Sequence, residues 1–240
     1  MTYTGSSKEI AYEPFSQLAN HYAKFMDNNP FYKYLERPTM LEMLGSVQGK
    51  KILDVGCGTG WHTKYFIENG ADVVSIDISP EMVQRAKMRI GDRTDRIQIG
   101  NIEETLPFVQ EGSIHLVYAS LVLHFMKEWH LSLAEIRRVL VPGGELIFSI
   151  CHPTFTDYSR SENRRYNQVE IVEEIISGVS TKRYRNTLST IMNSLAQAGF
   201  TLLEMREPEP IPEMLKHTDK WLYEYLIEHP YFLCIKVRKS

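Results

Sequence analysis

Two aspartates and a run of glycines stand where this chain can hold a small polar ligand. Asp54 lies two residues before Gly56 in Ile52-Leu53-Asp54-Val55-Gly56-Cys57-Gly58-Thr59-Gly60, and Asp77 closes the apolar run Ala71 to Asp77, nineteen positions beyond Gly58. Glycines at alternate positions allow backbone conformations closed to other residues and a close approach to a ligand. A turn from strand into helix there exposes unpaired N–H groups and the positive end of a helix dipole. The spacing is neither the G-x-G-x-x-G of a dinucleotide site nor the G-x-x-x-x-G-K-[ST] of a phosphate loop. Asp54 repels phosphate and favours a ligand with a cationic or hydroxyl group. An acid in the position of Asp77, at the tip of a second strand, accepts hydrogen bonds from both hydroxyls of a ribose. His124 and His152 each follow an apolar run, and histidine is the side chain best matched to proton transfer near neutral pH.

The elements that must position these residues follow from the pattern. Ile52–Val55 and Ala71–Asp77 read as buried strands, with the helix Trp61 to Phe66 between them. Ser79-Pro80-Glu81 opens a further helix with an N-cap, an early proline and an acid, and Met82, Ala86 and Ile90 give it an apolar face. Arg96–Gly100 and Ser113–Tyr118 read as strands three and four. A helix from Glu128 to Leu140 and a Pro142-Gly143-Gly144 turn then lead into strand five, Glu145–Ile150. Alternating strands and helices imply an α/β fold with a mostly parallel sheet. Thr187–Ala198 is expected to be a helix stopped by Gly199, and Phe200–Met205 and Phe232–Val237 the last two strands. Leu215, Trp221, Leu222, Tyr225 and Leu226 mark a core helix between them. Upstream, Phe15, Leu18, Ala19, Tyr22 and Phe25 give the apolar face of one helix, Asn28-Asn29-Pro30 breaks it, and Pro38 opens another that runs to Gly45.

Asp-Val-Gly-Cys-Gly-Thr-Gly followed by Ser-Ile-Asp-Ile-Ser-Pro-Glu-Met resembles motifs one and two of the class I S-adenosylmethionine-dependent methyltransferases. The resemblance runs on in order through Gly100-Asn101-Ile102-Glu103, Ile114 to Ser120 and Arg138 to Gly144, and so covers about residues 50–150. It implies a Rossmann-like sheet of seven strands with helices on both faces. It also implies S-adenosylmethionine as cofactor and S-adenosylhomocysteine as product. By that resemblance Asp54, Gly56, Cys57, Gly58 and Gly60 form the cofactor turn, and Asp77, Ile78 and Met82 hold the ribose and adenine. Asn101, Ile102 and Glu103 continue the adenine site, with Asn101 where many relatives have aspartate. Ala119 and Ser120 stand where the transferred methyl group should lie. Residues 1–49 form a helical lid whose Tyr22, Tyr34 and Arg37 reach the amino-acid end of the cofactor. His124 and His152 are expected to face the acceptor, His124 first, either one acting as general base if the acceptor carries a proton.

Composition and missing motifs narrow the acceptor. The chain has 240 residues, 43% of them hydrophobic, enough for one large α/β core. A formal net charge of −3 argues against broad phosphate neutralisation and hence against a general nucleic-acid binder. No Asp-Pro-Pro-Tyr or Asn-Pro-Pro-Tyr follows strand four, and no Pro-Cys pair supplies a nucleophile, so DNA adenine and cytosine methylation are disfavoured. Cysteines at 57, 151 and 234 have no metal-ligand spacing and read as free thiols in a reducing compartment. The longest apolar stretch, Ile114 to Met126, is too short to span a membrane, and the N-terminus lacks the regions of a signal peptide. A cytoplasmic enzyme with neither a nucleic-acid nor a membrane partner is the expectation.

Residues 151–186 extend beyond the common core, with six cations against five acids over 151–190. That balance is too weak to track a phosphate backbone, and the segment reads as a cap over a small-molecule pocket. Residues 187–240 complete the sheet, so one domain comprises the lid (1–49), the cofactor-binding core (50–150), the cap and this final part. Two other readings are open from sequence alone: a catalytically silent S-adenosylmethionine-binding protein, and a nicotinamide-dependent oxidoreductase, which would want G-x-G-x-x-G.

Overall fold

The computed structural model describes residues 7–92, 94–155, 166–176 and 178–240, without the side chains of 7–9 and 19–26. In chain order the helices are α1 (Ser7–Asn28), α2 (Arg37–Leu44), α3 (Trp61–Glu68), α4 (Pro80–Ile90), α5 (His130–Val139), α6 (Leu188–Gln197) and α7 (Lys220–Glu228). The strands are β1 (Lys51–Val55), β2 (Asp72–Asp77), β3 (Ile97–Ile99), β4 (Ile114–Ser120), β5 (Leu140–Cys151), β6 (Glu170–Ile176), β7 (Val179–Arg185), β8 (Phe200–Arg206) and β9 (Phe232–Lys239).

Seven strands form one sheet in the order β3-β2-β1-β4-β5-β9-β8. β1 to β5 run parallel, and β9 lies antiparallel between β5 and β8. Alternation of side chains along the central strands feeds two cores. Leu53, Val55, Val117, Ala119, Leu146 and Phe148 pack on the face covered by α5 and α6. Ile52, Leu116, Tyr118 and Ile147 pack on the other face, under α2 and α3 with Met40, Met43 and Phe66. Both faces are covered, which is why these strands read as nearly continuous apolar runs. The chain reverses direction along the sheet between β1 and β4, and the C-terminal strand ends on either side of that point border a common crevice.

Helix boundaries follow local chemistry. Ser79 Oγ accepts the Met82 N–H at 3.2 Å to cap α4, and Thr187 Oγ1 accepts the Thr190 N–H at 3.0 Å to cap α6. The sequence places a fresh helix start at Pro38, and the structure corrects this. The chain is already helical from Pro30, winds through a π-helical turn over Tyr32–Glu36, and enters α2 without a break. Pro38 has no N–H to give the Tyr34 carbonyl one turn back. That carbonyl accepts the Ile211 N–H instead, at 2.9 Å, while the Arg37 N–H reaches back to the Tyr32 carbonyl in the wider π spacing.

Two further expectations change. Pro142-Gly143-Gly144 does not precede β5 but lies inside it, at a shift in its register with β4. Trp221 does not reach the core: it is 69% exposed and stacks on Tyr225, while Leu226 on the opposite side of α7 is buried. Of the cap, Glu170 to Arg185 forms the antiparallel hairpin β6–β7, a two-stranded sheet of its own. Residues 156–165, with Tyr158, Arg160, Arg164 and Arg165, lie outside the described residues.

Candidate active site

A cavity of about 360 Å³ opens at the C-terminal ends of β1 to β5, within the size range of small-molecule sites. α1 crosses it. Ser16 Oγ donates to Glu81 Oε2 at 2.7 Å and Arg89 pairs with Asp27 at 2.6 Å, which fix α1 to α4. Phe15 meets Phe125 edge to face across the cavity mouth, with ring centres 5.1 Å apart.

One half of the cavity is built by the loops after β1, β2 and β3. Gly56, Cys57 and Gly58 line it, together with Asp77, Ile78, Met82, Asn101, Ile102 and Glu103. Gly58 has φ +53°, and a Cβ built on it meets nothing within 4 Å, so the backbone there faces open space. Gly60 serves packing instead. It has φ +79°, and a Cβ would stand 3.0 Å from Ala86, so its glycine lets α4 close against the turn and does not line the cavity. Asp77 Oδ2 accepts the Gly58 N–H at 2.8 Å and Oδ1 the Ser79 N–H at 2.9 Å. The Ile78 N–H also bonds this carboxylate, and with about four lone-pair positions in all it keeps room for a ligand hydroxyl. Burial pushes Asp77 up to about 6, against the pull of those backbone N–H groups. Ile78, Met82 and Ile102 form an apolar wall beside it. This is the donor, acceptor and wall set that a nucleoside requires. The Asn101 amide is partly engaged already, because its Oδ1 accepts the Glu103 N–H at 3.1 Å and its Nδ2 donates to Glu104 at 3.4 Å.

The floor at β1 carries Arg37 and His62. The Arg37 guanidinium lies over the Trp61 ring, 3.8 Å from its centre, and burial lowers its pKa while Glu36 opposes the shift. His62 lines the cavity with a buried Nε2 that has no hydrogen-bond partner among the described residues, and burial drives its pKa down to about 3.

The other half lies over β4 and β5. Leu121 and Val122 leave β4 into the cavity, and Leu121 has φ 57°, the only non-glycine positive φ among the described residues. An L-residue held there costs about 1–2 kcal/mol, and the Leu121 N–H is held by both the carbonyl (3.1 Å) and the Oγ (3.0 Å) of Ser149. Glu36, at the end of the π turn, is 1% exposed and lines the cavity. Its Oε1 accepts the Ser120 hydroxyl at 2.7 Å and the Ser149 hydroxyl at 2.5 Å. Burial raises its pKa, while the two serines and Arg37 oppose the rise. Phe31, Tyr32, Tyr231 and Phe232 add aromatic walls, and Glu174, Ile175 and Ile176 come from β6.

Several sequence-derived site residues lie elsewhere. Asp54 is on the strand parity that faces α3; Thr63 Oγ1 donates to it at 2.6 Å, and burial lifts it to about 7. Ala119 is fully buried in the opposite core. Tyr34 packs with Met214 and Leu226 and stacks on His217 at 5.0 Å, because the π turn rotates it away from the cavity. The Tyr22 side chain lies outside the described residues. His152 follows the cavity-lining Cys151 and points the other way, as strand alternation requires. Its ring bonds Thr154 at 2.7 Å and Glu207 at 2.9 Å, so it anchors the root of the cap.

His124 does line the cavity, but with a fixed tautomer. Its Nδ1 accepts the Cys151 N–H at 3.3 Å, which places the proton on Nε2. Burial, with Arg183 adding to it, pushes its pKa well below 6.5. The ring is therefore a neutral donor and not a base. Glu36, Trp61 and His62 were missed from sequence. Trp61 and His62 directly follow the glycine turn, a position that could have flagged them; nothing local distinguishes Glu36.

The chain matches the family model described as "Methyltransferase domain" over residues 53–148. It is 40% identical, over 166 residues, to an uncharacterised methyltransferase of Synechocystis sp., covering 68% of this chain and 72% of that protein. It is 37% identical, over 102 residues, to a malonyl-[acyl-carrier protein] O-methyltransferase of Erwinia billingiae, spanning 42% of this chain and only 39% of that relative. A crystal structure from Listeria monocytogenes, assigned as an S-adenosylmethionine-dependent methyltransferase, superposes with a TM-score of 0.71 at 27% identity, covering 85% of this chain and 96% of that one.

Proposed function

The chain belongs to the class I S-adenosylmethionine-dependent methyltransferases, and from that premise we propose that it methylates a small, largely apolar molecule by direct in-line transfer. One observation carries the reading. A single cavity joins the nucleoside-suited loops after β1–β3 to an aromatic chamber over β4–β5, and the chamber is roofed by α1 and the β6–β7 hairpin. A cavity of about 360 Å³ lined largely by apolar and aromatic side chains suits a small molecule better than a duplex or a folded protein. The nicotinamide reading falls with family membership.

Bound S-adenosylmethionine supplies a methyl group on a positively charged sulfur, already activated for attack. Asp77 holds the ribose hydroxyls, and Ile78, Met82 and Ile102 enclose the adenine. Gly58 presents its backbone, and Arg37, braced by Trp61, meets the carboxylate of the amino-acid end. The protein's further contribution is to fix the acceptor in line and exclude water, which can account for much of the barrier reduction. A carboxylate acceptor like that named for the Erwinia relative is disfavoured here. Glu36 and Glu174 already put two carboxyl groups on the acceptor side, and the nearby Arg183 is engaged with Glu174 at 3.5 Å.

The test is incubation of purified protein with methyl-labelled S-adenosylmethionine and fractionated cell extract. Label should enter the low-mass fraction. Label found only in nucleic acid or protein would refute the reading.

A further inference from the structure

We propose that Glu36 is the group that accepts the proton of the methyl acceptor, so that the acceptor carries an O–H or N–H on an apolar, aromatic-sized body. This rests on the small-molecule reading above and specifies the chemistry of its chamber.

The placement carries the argument. Along the sheet, the loops after β3, β2 and β1 account for the nucleoside and amino-acid ends of the cofactor. The strands β4 and β5 are the next in order, and Glu36 sits over them, tied to Ser120 and Ser149, which are direct register partners. Both serine hydroxyls converge on Oε1. Oε2 has no hydrogen-bond partner among the described residues, although the side chain lines the cavity. A buried carboxylate with an unfilled oxygen is costly unless something completes it. The walls around it are mostly apolar, with Phe31, Leu121, Val122 and Phe232 among them, and no hydrogen bond from them reaches Oε2. An acceptor hydroxyl or amine fits that vacancy in chemistry and in place. Two devices hold the arrangement: the π turn that brings Glu36 onto the cavity side, and the strained Leu121 that fixes Ser149. π turns and off-region backbone concentrate at functional sites.

His124 cannot take this role, since its Nδ1 is filled by the Cys151 N–H and its Nε2 carries the proton. His152 lies outside the chamber. In the step, a lone pair on the acceptor oxygen or nitrogen forms the new bond to the methyl carbon. The carbon–sulfur bond breaks with its electron pair left on sulfur, which becomes neutral, and the acceptor proton passes to Glu36 Oε2 and then to water.

The experiment needs no turnover. 2-Naphthol, which gives up its excited-state proton to water when free but, once bound in a dry site, only to a base in contact, and 2-methoxynaphthalene, which has none to give, are mixed with excess S-adenosylhomocysteine complex so that the bound probe is read. Cofactor affinity is measured alongside by calorimetry. The parent should bind naphthol at least tenfold more tightly than the ether and show naphtholate emission. Glu36→Gln should lose both the preference and the emission while keeping cofactor affinity within threefold. If Glu36→Gln does not fold, Glu36→Asp, which keeps the charge but withdraws it by one methylene, should lose them likewise. Equal binding of the two probes by the parent overturns the proposal. So does a variant that keeps the emission, or one that loses cofactor affinity instead, which would assign Glu36 to the cofactor. Failure of the parent to bind either probe while binding cofactor would overturn the aromatic-sized body assigned to the acceptor, whereas the small-molecule reading stands or falls on the labelling test.

Discussion

Replacing Asp77 with asparagine separates the stability cost of this carboxylate from its use. Without cofactor, burial lifts Asp77 to about 6 from an ordinary 3.8. The folded chain therefore keeps its proton to higher pH than the unfolded chain. Between about pH 4 and pH 6 unfolding releases a proton, so the stability this group contributes falls as pH rises. The full difference corresponds to about 3 kcal/mol above pH 6. Asparagine does not titrate. Its amide oxygen keeps the backbone N–H on one side, Gly58 or Ser79, and its NH₂ faces the other, at a cost of about 1–3 kcal/mol at every pH. The variant should thus melt below the parent at pH 4, and the gap should close or reverse by pH 7.5. For a chain of this size that swing is about 6–12 °C. Affinity for S-adenosylmethionine at pH 7.5 should fall about 10- to 100-fold, because hydrogen bonds to a charged acceptor are lost. Thermal melts in matched buffers and calorimetric titration read the two effects. A melting difference that is the same at pH 4 and pH 7.5 refutes the buried-charge reasoning. Binding unchanged within twofold removes Asp77 from the ribose.

Gly58→Val should abolish measurable cofactor binding while costing only about 1–2 kcal/mol of stability, the expense of a positive φ without a clash; tight binding by the folded variant would exclude this turn from the site. His124→Gln should lower turnover of any acceptor found by about tenfold yet leave the acid side of the pH–rate profile in place; disappearance of that limb would make His124 the base after all. His152→Gln should lower the melting temperature by a few degrees with cofactor affinity intact, as expected for a cap anchor; calorimetry showing weaker cofactor binding would contradict its placement. Burial pushes Cys151 up to about 12 and raises Cys57 and Cys234 well above the usual thiol range, so iodoacetamide at pH 8 should modify the folded protein about 100-fold more slowly than the denatured chain. Mass spectrometry showing equal rates would refute this.

The half of the cavity over β1–β3 was legible because its signals are local. Glycines at fixed offsets from a strand, an acid at the next strand tip and a capped helix after it each act within a few residues, and Gly58, Asp77, Met82 and Ile102 all line the cavity. The misplacements have nonlocal causes. Asp54 was assigned to the ligand by its position in the motif, but strand parity turns it to Thr63. Tyr34 and Glu36 exchange roles because one π turn shifts the helix phase, and that turn answers a carbonyl which Pro38 cannot satisfy and Ile211 does. His152 failed by a single step of alternation past Cys151. The acceptor half depends on pieces brought together from five separate parts of the chain, and no window of sequence holds them all.

The bond from the Ile211 N–H to the Tyr34 carbonyl also sets a timetable for synthesis. The glycine turn, Asp77 and Asn101 leave the ribosome early, and at a few to twenty residues per second the strands that flank them are available seconds before the rest. The lid segment leaves before them, yet the group that completes its π turn, and Phe232, against which Tyr32 packs, emerge well after them. A nascent chain therefore carries the nucleoside loops well before it has a closed acceptor chamber. Ribosome-bound fragments ending near residue 200 would expose Phe31, Tyr32 and Leu121 to solvent and to chaperones, and the final strand and its preceding helix convert that exposed surface into the chamber wall.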